Sequence, residues 1–126
     1  MESPYKGKRG LKRLWNALFY SWAGLQAAYK NEDAFRQEVM LAVILIPLAC
    51  FVPASAIGKV LLIGSVLLLL IVELLNSAIE ATVDRISLEN HSLAKRAKDI
   101  GSAAVLLTLF NLALVWGMIL YEGLGR

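Results

Sequence analysis

From Ile100 to Tyr121 the chain runs for twenty-two residues without one Asp, Glu, Lys or Arg. At about 1.5 Å per residue, a helix of that length covers a hydrocarbon core of roughly 30 Å. A stretch of this kind leaves few options. No water is available inside a bilayer, so the backbone must satisfy its own donors and acceptors, and the span has to be a helix. The composition agrees: 58% of the 126 residues are hydrophobic and the mean hydropathy is +0.61, more than a soluble domain of this size needs. A single membrane domain, residues 1–126, is expected.

Two further spans are predicted. Residues 56–84 form the longest, and residues 34–52 the shortest, because Val39 to Val52 is only fourteen residues long and contains Pro47; extension back through Ala34 and Phe35 makes it long enough to cross. Pro53, Ala54 and Ser55 mark the turn between the two. Upstream, Leu11, Leu14, Trp15, Leu18, Trp22, Leu25 and Tyr29 recur at steps of three and four. That spacing predicts an amphipathic helix over residues 11–30, with Trp and basic residues suited to the membrane surface. Residues 1–10 are polar and basic, and are expected to fray. The predicted fold class is therefore all-α: three transmembrane helices plus an N-terminal surface helix. Three helices bury little by themselves, so a homo-oligomer is expected.

Seven of the thirteen Lys and Arg residues lie before residue 39 and four between Arg85 and Lys98, while the Pro53 to Gly58 turn has none. This places the N-terminus and a loop over residues 85–99 in the cytoplasm, and the C-terminus on the opposite side. A net charge of +3 is too small to argue for nucleic acid and suits a basic collar facing anionic lipid headgroups. Cys50 is the one cysteine, which leaves no disulfide framework or thiolate metal site. No cleavable leader is expected, since the first apolar run begins near residue 39.

The chemistry concentrates in the second span. On a helix, Glu73, Asn76, Glu80 and Asp84 fall on one face with Ser77 beside them, in a segment otherwise rich in Leu, Ile and Val. An unpaired carboxylate in hydrocarbon costs roughly 2.5–3.5 kcal/mol on insertion scales, so such a stripe implies a task or a partner. With Asp84 near the cytoplasmic surface, Glu80 lies about 6 Å deeper and Glu73 about 16 Å deeper. The outer part of this ramp can meet water-soluble phosphates through Mg²⁺, which favours one or two carboxylates with waters and substrate oxygens; Glu80 and Glu32 are the candidates. The inner part, Glu73, can take a proton from a lipid hydroxyl, with Asn76 orienting either group. Neither a G-x-x-x-x-G-K-[ST] loop nor a G-x-G-x-x-G run is present, which excludes the P-loop and protein-kinase architectures. Lys95, Arg96 and Lys98, with Arg13, are the cations available to a triphosphate.

Three segments carry a resemblance: NEDAFRQE at Asn31 to Glu38, ELLNSAIEATVDR at Glu73 to Arg85, and AKRAKDIGSAAV at Ala94 to Val105. They are similar, in order and spacing, to the signatures of the bacterial membrane diacylglycerol kinases. That resemblance implies a homotrimeric bundle in the bacterial inner membrane, with the C-terminus periplasmic and active sites shared between subunits. The implied reaction is MgATP-dependent phosphorylation of diacylglycerol to phosphatidic acid.

Carried over by position, Glu73 and Asn76 are catalytic, and Glu32 and Glu80 hold the metal. Contacts to ATP map onto Arg13, Tyr20, Glu32, Glu80, Glu89, His91, Lys98 and Asp99. Lipid contacts map onto Ser21, Trp22, Phe35, Arg36, Gln37, Glu38, Glu73, Ser102 and Trp116. Leu18 stands where a small Ala is expected, and Asn90 where a Tyr can occur. Undecaprenol is the alternative acceptor within the same family, and the FRQE run at Phe35 to Glu38 favours diacylglycerol. A different class, the small ion-coupled transporter, needs polar access from both sides of a deep acid, yet Val60 to Val72 carries only Ser65.

Overall fold

The computed structural model describes residues 6–86 and 91–125. Among the described residues four helices follow one another: α1 (Lys6–Asn31), α2 (Asp33–Phe51), α3 (Ala56–Ile86) and α4 (Ser92–Leu124). The last three are each long and apolar enough to cross a membrane. α1, richer in charge, is the N-terminal addition.

Each junction has a local cause. Glu32 alone departs from helical geometry between α1 and α2, with φ −116° and ψ 109°. Arg36 holds that corner: its Nη1 donates to the carbonyls of Tyr29 at 2.7 Å and Lys30 at 2.8 Å, and its Nη2 pairs with Asp33. The guanidinium thus occupies the negative end of α1 and satisfies carbonyls that lack helical partners. Between α2 and α3, Ser55 Oγ accepts from Gly58 N at 3.1 Å, the geometry of an N-cap. Lys59 reaches back to donate to Cys50 O at 2.9 Å. That lysine lies just beyond the uncharged Pro53 to Gly58 turn, and it serves the C-terminus of α2.

α3 is the central element. α4 packs along most of its length, α2 lies on another side, and α1 touches α2. Three points show that α3 and α4 run antiparallel in a fixed register: Lys98 opposite Asp84, Gly101 opposite Asn76, and Trp116 opposite Leu62. The core joins Ala42, Ala49, Val52, Leu62, Val66 and Trp116, where the alanines let α2 approach closely. Large apolar side chains such as Leu61, Leu67, Leu106, Leu107, Phe110 and Leu114 face outward, as a lipid-bathed or self-associating bundle requires.

Two placements differ from the sequence expectation. α4 starts at Ser92, so residues 92–99, expected in a loop, are helical. They contain neither Gly nor Pro, are rich in Ala, Lys and Arg, and follow a cap at His91, whose Nδ1 accepts from Leu93 N at 3.1 Å. α1 likewise starts at Lys6, inside the stretch expected to fray.

Candidate active site

From Val60 to Val72 α3 has Ser65 as its one polar side chain, and it then presents Glu73, Asn76, Ser77 and Glu80. Glu73 is 5% exposed, Asn76 7% and Ser77 8%. A buried carboxylate needs compensation or a purpose. Its neighbours offer little compensation: Glu73 lies within electrostatic reach of Glu80 and Glu32, and Glu38 within reach of Glu73. Carboxylates from the α1–α2 corner, α2 and α3 therefore all lie within electrostatic reach of Glu73. The corner brings Glu32 in, and the antiparallel run of α2 beside α3 brings Glu38.

Polar contacts inside this group are sparse. Asn76 Nδ2 donates to Glu80 Oε1 at 3.3 Å, while Asn76 Oδ1 and Glu38 Oε2 are buried without a hydrogen-bond partner. Glu32 occupies the N-cap position of α2 but makes no side-chain cap bond. Its carboxylate stays available at the positive end of a helix, where negative charge is favoured.

Two cavities flank α1 beside this cluster. One, of about 750 Å³, lies between α1 and α3 and is lined by Ser21, Leu25, Glu32, Leu74 and Ser77 among others. The second, of about 590 Å³, is lined by Trp22, Leu25, Tyr29, Lys30, Phe35 and Leu70 among others. Leu25 borders both. Of the four carboxylates, Glu32 lines the first cavity. Among the described residues, no three His, Cys, Asp or Glu side chains are grouped to hold a metal by themselves. Two carboxylates, Glu32 and Glu80, fit Mg²⁺ better than a metal that needs a closed protein cage, because Mg²⁺ keeps waters and takes phosphate oxygens.

The other expected site residues divide clearly. Ser21, Trp22 and Phe35 border the cavities. Arg36 is committed to the α1–α2 corner, and Gln37 is exposed beside it. Ser102 is exposed on α4. Trp116, expected against lipid, is 6% exposed and donates its indole N–H to Leu62 O at 3.2 Å; the seam between α3 and α4 supplies the acceptor that a buried indole needs.

The expected nucleotide contacts are spread more widely. Arg13 and Tyr20 are exposed on α1, roughly 28 Å and 18 Å along the helix from Glu32, and one chain does not bring Arg13 to the carboxylates. His91 caps α4. Lys98 pairs with Asp84 at 2.5 Å, and Asp99 pairs with Lys95 at 2.7 Å. The outer end of the acidic ramp is thus neutralised, and the uncompensated charge lies deeper. Glu89 and Asn90 lie outside the described residues. Gly101, facing Asn76, is a site neighbour that the sequence signals only as part of a run of small residues.

Comparison with known proteins places this arrangement. The family described as Prokaryotic diacylglycerol kinase matches residues 19–120. The chain belongs to that family. The diacylglycerol kinase of Pseudomonas aeruginosa is 56% identical over 118 residues, covering 94% of this chain and 96% of the relative. The enzyme of the same name from Escherichia coli K12 is 50% identical over 92% and 95% of the two chains, and that of Haemophilus influenzae 53% over 89% and 95%. The family match takes in the C-terminal half of α1, the carboxylate cluster and nearly all of α4. With three membrane-length helices and bacterial relatives of nearly full length, the chain is a bacterial membrane protein.

Proposed function

We propose that this protein phosphorylates diacylglycerol with MgATP, yielding phosphatidic acid and ADP. Membership of the family gives the reaction class, and one observation carries the assignment to residues: a buried Glu73 with Glu32, Glu38 and Glu80 within electrostatic reach, of which Glu32 lines the cavity between α1 and α3.

In this reading the acyl chains of diacylglycerol stay in the bilayer or the Trp22–Phe35 cavity, and its hydroxyl reaches Glu73. The Glu73 carboxylate accepts the hydroxyl proton as the oxygen attacks the γ-phosphorus of ATP. The new O–P bond forms while the bond from the γ-phosphorus to the bridging oxygen breaks, and ADP departs with that oxygen. Glu73 then returns its proton to solvent. Positioning is most of what such a transfer demands.

Glu32 and Glu80 would hold Mg²⁺, whose charge offsets that of the triphosphate and of the carboxylates around it. Asn76 orients Glu80, and Phe35 walls the lipid side. Ser65 gives little support to a transport pathway: it is buried and its hydroxyl is spent on Leu62 O at 2.8 Å.

The working unit in this proposal is a homotrimer in the inner membrane, with the N-terminus cytoplasmic and the C-terminus periplasmic. The span of α1 supports a shared site, since Arg13 and Tyr20 are far enough from their own Glu32 to serve a neighbour. The deciding experiment supplies purified protein in lipid micelles with radiolabelled MgATP and either diacylglycerol or undecaprenol. Labelled phosphatidic acid is the expected product. Label on undecaprenol alone would reassign the acceptor, and no lipid label at all would overturn the proposal.

A further inference from the structure

Where α4 crosses the acidic end of α3, Gly101 is buried against Asn76. A methyl group on Gly101 would overlap Oδ1 of Asn76 and stand 3.2 Å from its Cγ, whereas Cβ of Asn76 would be 3.9 Å away. The space left by the missing side chain is taken up by the Asn76 amide. That amide has one good orientation. Its Nδ2 donates to Glu80 Oε1 and its oxygen, facing Gly101, has no hydrogen-bond partner; turned over, it would set oxygen against carboxylate. A buried carbonyl without a partner is unfavourable, so the orientation persists only because Nδ2 gains an anionic acceptor and position 101 offers no obstruction.

We propose that Gly101 is a positioning residue: the absence of a Cβ admits the Asn76 amide to the α3–α4 seam, and through that amide sets the direction in which Glu80 faces the metal–nucleotide. The inference rests on the assignment of Glu80 made above. No side chain of Gly101 touches substrate, and its influence passes through Asn76.

The test compares G101A, N76A and the double variant N76A/G101A in lipid micelles. The readouts are binding of Mn²⁺–ATP by electron paramagnetic resonance, with no acceptor lipid present, and the Mg²⁺ dependence of turnover. G101A is expected to bind Mn²⁺–ATP about tenfold more weakly, the loss that follows from breaking one hydrogen bond to a charged acceptor. The double variant should bind no more weakly than N76A, because the added methyl then meets only a Cβ at ordinary contact distance.

Wild-type binding by G101A, or full addition of the two losses in the double variant, would overturn the proposal. Should G101A fail to fold, a folded double variant would still identify the Asn76 amide as the obstruction, and an unfolded one would count against it. If the unaltered chain makes no phosphatidic acid, the functional reading fails; if it does and G101A is indistinguishable from it, only the role of Gly101 fails.

Discussion

The indole Nε1 of Trp116 donates to the carbonyl oxygen of Leu62, 54 positions earlier in the chain, at 3.2 Å. The same carbonyl accepts from Ser65 Oγ at 2.8 Å. Both donors would otherwise be unpaired in an apolar seam. Trp116→Phe keeps most of the ring and removes the N–H, and should lower bundle stability by about 1 kcal/mol. Trp116→Ala should cost about 3–5 kcal/mol through the cavity it leaves. Unfolding by SDS in mixed micelles measures both, and an unchanged midpoint for Trp116→Phe would show that the bond contributes nothing.

Glu73→Gln preserves shape and hydrogen-bonding capacity but cannot accept the hydroxyl proton. Turnover should fall by about 10²–10⁴-fold, the range for losing a general base, with ATP binding retained. Single-turnover kinetics beside a nucleotide-binding assay separates the two, and a variant that keeps its rate would remove Glu73 from the chemistry.

Glu80→Gln and Glu32→Gln each take one negative oxygen donor from the metal–nucleotide. Each should raise the Mg²⁺ concentration that gives half-maximal rate by about tenfold or more, the equivalent of roughly 1.4 kcal/mol. The double variant should be worse than either. A Mg²⁺ titration that superimposes on wild type would place the metal elsewhere.

Arg36→Lys replaces a planar fork, bonded at once to Tyr29 O, Lys30 O and Asp33, by a point charge that cannot span the same partners. The last turn of α1 should loosen, and its amides exchange about tenfold faster. Hydrogen exchange followed by mass spectrometry reads this directly; unchanged protection there would show that the corner is held by packing alone.

Much of this molecule follows from patterns within a few turns of helix. Charge-free runs mark the spans, a three- and four-residue rhythm marks α1, and four polar residues on one face of α3 mark the carboxylate cluster. These signals are local, because a helix places its neighbours by arithmetic. What was hidden depends on partners distant in the chain. The acceptor for the Trp116 indole, Leu62 O, lies 54 positions away. Nothing in the spacing of Arg36 and His91 reveals that one closes α1 and the other starts α4. Lys59 completes the end of α2 by donating to Cys50 O, nine positions back. Residues 92–99 read as a loop because their charge reports location relative to the membrane, whereas their helicity follows from side chains that favour a helix regardless of charge.

Glu32 is both the single non-helical residue between α1 and α2 and a member of the carboxylate cluster. A side chain on a pivot scarcely moves when the arm swings. A tilt of roughly 10° about this point would carry Arg13, about 28 Å out along α1, through some 5 Å, while the Glu32 carboxylate kept its place beside Glu73. The reach of α1 and the position of the anionic centre are thus geometrically separable, with Arg36 fixing the angle between them.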